Sequence, residues 1–90
     1  MPDRIVDAVV AQSLHAHSLR IHPLAGWVVM RDPPGYPAKI VARLVIGTPS
    51  SYVLVADTLT EIHNLLPSCL VRSDRQPADP LEVLEVWFPR

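Results

Sequence analysis

Ninety residues with eight basic and nine acidic side chains and a formal net charge of −1 suffice for one domain with a thin core. Nearly half of the residues are apolar and 19% are charged, which excludes the composition of a disordered chain. The charges are scattered, with none of the dense positive footprint that phosphate neutralisation requires, so nucleic acid is disfavoured as a partner.

The single cysteine, Cys69, cannot close an internal disulfide, and a small secreted domain would carry several, so a cytoplasmic location is expected. No apolar run approaches the ~20 residues that cross a bilayer, and the start of the chain is a poor signal peptide, so no membrane partner is expected.

Taken in chain order, residues 3–18 place Ile5, Val6, Val9, Val10 and Leu14 near one side of a helical wheel, with Asp3 as the cap. This predicts an N-terminal helix, and residues 1–23 are expected to attach loosely to a single domain spanning 1–90. Residues 27–31, 38–46 and 52–56 are rich in valine, isoleucine and aromatics between proline and glycine clusters, and read as three strands joined by tight turns. In the second, Ile40, Ala42, Leu44 and Ile46 alternate with Lys39, Val41, Arg43 and Val45, so the even-numbered face should meet the core.

Thr58 and Glu61 have capping-box spacing and open a helix that Pro67 ends. Residues 68–80 read as irregular and 81–88 as a fourth strand. The predicted class is α+β. Its architecture is a two-layer sandwich with a mixed four-stranded sheet, made of a three-strand meander and one strand after a helical crossover, and one or two helices on one face.

Chemistry-bearing groups are sparse. His15, His17 and His22 cluster near the N-terminus, but the i, i+2 spacing of the first two points them apart on a helix, and no second ligand group is in sight; no metal and no cofactor is expected. Glu82 and Glu85 stand three apart on a strand and read as rim charges. An enzyme would need His63 and Cys69 to converge with the basic residues of the sheet, which leaves enzymatic activity undecided and disfavoured. A surface patch of Trp27, Arg31, Tyr36, Lys39 and Arg43 is the binding candidate, because arginine beside aromatics suits binding surfaces; the same charges also serve solubility. Trp87 and Phe88 are expected in the core, or else buried by a second copy.

Residues Tyr36-Pro37-Ala38-Lys39-Ile40-Val41-Ala42-Arg43, Val55-Ala56-Asp57-Thr58-Leu59-Thr60-Glu61-Ile62 with Leu66-Pro67, and Val83-Leu84-Glu85-Val86-Trp87 resemble short bacterial proteins of uncharacterised function. The resemblance spans about residues 26–88, implies a bacterial cytoplasmic origin and assigns no site residue. Ala56-Asp57-Thr58-Leu59-Thr60-Glu61 is also similar to the helix opening of antitoxin-like domains of the HicB type. The leading expectation is a small binding or regulatory module that forms a homo-oligomer or binds a protein partner. The alternatives are a carrier that anchors an anionic ligand on Arg31 or Arg43, and an enzyme using His63 and Cys69.

Overall fold

The computed structural model describes residues 3–68, 70–74 and 81–89. The elements run β1 (Arg4–Ile5), α1 (Ala8–Ile21), β2 (Gly26–Arg31), β3 (Ile40–Ile46), β4 (Thr48–Ala56), α2 (Leu59–Leu65), β5 (Leu70–Asp74) and β6 (Val83–Pro89). The strands form one open sheet in the order β1-β4-β3-β2-β6-β5. Only β1 with β4 is parallel; every other neighbouring pair is antiparallel.

The α+β class, the mixed sheet and the β2-β3-β4 meander agree with the sequence, but the sheet has six strands and not four. The two extra strands are both edges. β1 is two residues long, and β5 lies within the stretch read as irregular, where Arg72, Ser73 and Asp74 interrupt any apolar alternation. An edge strand needs partners on one side only, so its sequence carries a weaker pattern. The helical crossover leads from β4 to β5, and β6 then returns between β5 and β2.

α1 begins four residues later than the spacing suggested. Its cap is Asp7, whose side chain accepts the Val10 N–H at 2.8 Å; Asp3, the expected cap, bonds Arg43 instead. Pro23 holds His22 in extended geometry and ends the helix. α2 starts as predicted: the Thr58 hydroxyl accepts the Glu61 N–H, and the Glu61 carboxylate reaches back to the Asp57 N–H. Leu66, before Pro67, is extended. β3 turns into β4 through Gly47 alone, at φ 75°, whereas residues 32–39 between β2 and β3 form a longer loop with Asp32, Gly35 and Ala38 all at positive φ.

Both helices cover the same face of the sheet. Ala11 from α1 and Ile62 from α2 meet Trp27, Ala42, Leu44 and Leu54 in one core, so the even-numbered face of β3 is the core face, as its alternation implied. Burying these apolar side chains supplies the main stabilisation, at ~25 cal/mol per Å².

Candidate functional site

Register decides which side chains share a face, because residues opposite one another in a ladder point the same way. Trp27 lies opposite Leu44 and Trp87, which puts it on the helix-covered face. It is fully buried, and its indole N–H donates to His15 Nδ1 at 3.2 Å. Trp27 therefore takes no part in a surface patch. Sequence reasoning put it in the patch because arginine beside aromatics near the first hairpin suits a binding surface; Arg31, at the end of β2, is exposed.

The other four patch residues separate. Arg31 is exposed and lines an open depression of about 700 Å³ beside the 32–38 loop. Lys39 pairs with Asp57, just ahead of α2. Tyr36 and Arg43 do come together: the guanidinium holds Asp3 through both of its terminal nitrogens, at 2.8 and 2.9 Å, and the Tyr36 hydroxyl donates to the same carboxylate at 3.0 Å. Arg43 also donates to the Ser50 carbonyl at 2.7 Å. The hydrogen bonds from Arg43 hold the Asp3 carboxyl below its ordinary range against an opposing effect of burial. Burial, with Asp3 beside it, raises the Tyr36 hydroxyl.

A polar cluster that the sequence did not show sits between α2 and the β6–β5 end of the sheet. Glu85 is 5% exposed, which corrects its reading as a rim charge, while Glu82 is exposed. Its two oxygens receive His63 Nε2 at 2.7 Å, Trp87 Nε1 at 3.1 Å and Arg72 Nη1 at 3.3 Å. A carboxylate only accepts, so His63 carries its proton on Nε2. Burial opposes ionisation of Glu85 more than any other single influence, yet the bonds from His63, Trp87 and Arg72 together hold its carboxyl below the usual range. The His63 ring meets Trp87 edge-on at 5.4 Å. The cluster ties α2 to β6 and β5.

These positions bear on the chemical alternatives. His63 stands on the opposite face of the sheet from Arg43 and shares Glu85 with Arg72; Cys69 lies outside the described residues. Arg43 is committed to Asp3 and is not available as an anion anchor. His15 is buried and His17 exposed, as the helical spacing implied, and no group of three potential metal ligands comes together among the described residues. None of their helices is long and apolar enough to cross a membrane.

The most unusual surface is the face of the sheet that carries no helix. Val28 lies opposite Arg43 and Val86, and Phe88 opposite Val71, so these residues stand together on it. At the β3–β4 side, Asp3 and Tyr36 meet over this face, and Val41 and Val53 beside Arg43 are fully buried. At the β2-β6-β5 side Val83, opposite Met30, is buried, and Ser73 stands opposite Val86. Val28, Met30 and Val86 are half-buried there, Phe88 is 41% exposed and Val71 49%. The Phe88 ring lies over Gly26, 3.3 Å from where a Cβ would stand. Trp87 points the opposite way and packs against the core, so the two C-terminal aromatics divide between the two faces.

Comparison of the chain with protein-family models, with curated proteins and with solved structures finds no match.

Proposed function

We propose that this chain is a cytoplasmic interaction module that performs no reaction of its own and self-associates through the uncovered part of its helix-free sheet face. The observation that carries this reading is the apolar surface of Val28, Met30, Val86, Phe88 and Val71, with Ser73 opposite Val86; Arg43, opposite Val28, is paired with Asp3. An apolar face of this kind on a small domain marks an interaction surface. The lone cysteine supports the reducing compartment, and the resemblance to short bacterial proteins and to HicB-type helix openings is compatible with a binding role.

Light scattering coupled to size exclusion tests it. The wild-type chain is expected to run as a dimer at tens of micromolar, and Phe88→Asp, which sets a charge in the apolar surface without touching the helix-side core, should lower association at least about tenfold. A wild-type monomer at several hundred micromolar would remove the reading.

A further inference from the structure

We infer that the depression beside the 32–38 loop binds a small zwitterion, an α-amino acid with an apolar side chain, whose carboxylate meets Arg31 and whose ammonium meets Asp32. The site lies where β2 ends, β3 begins and β4 ends, and it is independent of the self-association proposed above.

The backbone brings the two charges together. Along a continuing strand Asp32 would face away from Arg31. Asp32 instead takes φ 49°, in the left-handed region, and both residues line the same depression of about 700 Å³. The Glu82 carbonyl holds the Arg31 N–H at 2.8 Å, and the Lys39 carbonyl holds the Asp32 N–H at 2.9 Å. Both side chains are exposed, and neither has a polar partner among the described residues. Asp57 lines the same depression, but Lys39 takes up its charge. One cation and one anion therefore remain on adjacent residues. A ligand with a single charge leaves one of them unmatched, and a zwitterion matches both.

The walls select the rest of the ligand. Pro33, which is buried, Pro37 and Ile40 supply apolar surface, and the volume falls within the range of small-molecule sites, roughly 300–1,000 Å³. The loop is also preformed. The Tyr36 N–H closes on the Pro33 carbonyl at 3.0 Å, and the Tyr36 hydroxyl is fastened to Asp3. Ala38, like Asp32, holds a positive φ without being glycine, at 60°. Such conformations cost free energy, persist where the surroundings over-determine them, and cluster at ligand sites. A loop already held in place avoids the ordering cost of binding.

Amide chemical shifts of the wild-type chain test the site, with L-leucine, L-methionine and L-phenylalanine as probes. Titration is expected to shift Gly35 and Ala38 with a Kd of about 0.1–1 mM for the tightest of the three, the strength suited to a small ligand in an open site. The amide of that amino acid, which lacks the carboxylate, and its deaminated acid, which lacks the ammonium, should each bind at least about tenfold more weakly. Arg31→Gln and Asp32→Asn should weaken binding by a similar factor; asparagine tolerates the left-handed backbone, so the loop keeps its shape. The proposal is overturned by no shift at Gly35 and Ala38 from any of the three at about 10 mM, by an amide or deaminated acid that binds as well as the amino acid, or by unchanged binding in either variant.

Discussion

His15 accepts the indole N–H of Trp27 through Nδ1, and that bond exists only while the nitrogen is unprotonated. Burial lowers the His15 pKa from its ordinary 6.5. Below that value the unfolded chain takes up a proton that the folded chain resists, so this residue makes stability fall as pH drops from about 6.5 toward the native value; at higher pH it has no effect. The thermal midpoint of the wild-type chain is therefore expected to fall between about pH 7 and pH 5. His15→Gln, which offers an acceptor without titrating, should flatten that part of the profile; an unchanged slope would locate the titration elsewhere. None of this was legible in the sequence, where His15 was one of three clustered histidines and Trp27 a surface candidate. In β2, Gly-Trp-Val-Val-Met-Arg, both faces are largely apolar, so alternation does not say which of them meets the helices. Glu85 was hidden for a related reason, since its partners His63 and Arg72 come from two other elements.

At the scale of elements, local chemistry was legible where it was self-contained. The Thr58–Glu61 box fixes the start of α2 within one turn, and the apolar even positions of β3 identify its buried face. The sequence pointed to Asp3 as the cap of α1; Asp7 takes that place, and Asp3 instead bonds Arg43, forty residues away. β1 and β5 went unread because a strand of two residues, or one ending in Arg-Ser-Asp, has no pattern of its own and is defined by its neighbour. Gly26 belongs with these long-range determinants. A Cβ there would stand 2.5 Å from the Trp87 carbonyl oxygen and 3.3 Å from the Phe88 ring, and the first of these is backbone of the paired strand that a side-chain rotation cannot relieve. Gly26→Ala should therefore push β2 from β6 and cost about 1–3 kcal/mol. Denaturant titration would show it as a lower midpoint, and a midpoint equal to wild type would mean that the β2–β6 ladder yields freely.

The whole molecule is a sheet with two unlike faces. One is closed by both helices; on the β3–β4 half of the other, the N-terminal segment and the 32–39 loop meet through Asp3, Arg43 and Tyr36. Beside that tie Val41 and Val53 are fully buried. Removing Asp3 leaves a partly buried guanidinium with the Ser50 carbonyl as its remaining partner, and losing charge-assisted hydrogen bonds in such a place costs about 1–3 kcal/mol. Asp3→Ala should accordingly lower the thermal midpoint at neutral pH. The Asp3→Ala, Arg43→Met double variant should be less destabilised than the sum of its parts, since no uncompensated charge remains. The pH dependence supplies a further check with a definite sign. The hydrogen bonds from Arg43 depress the Asp3 carboxyl below its ordinary 3.8, so its contribution is present above that value and is lost as pH falls through the native pKa. Wild type and Asp3→Ala should thus differ at neutral pH and converge in strong acid. Equal midpoints at neutral pH would mean that the tie does not stabilise the fold.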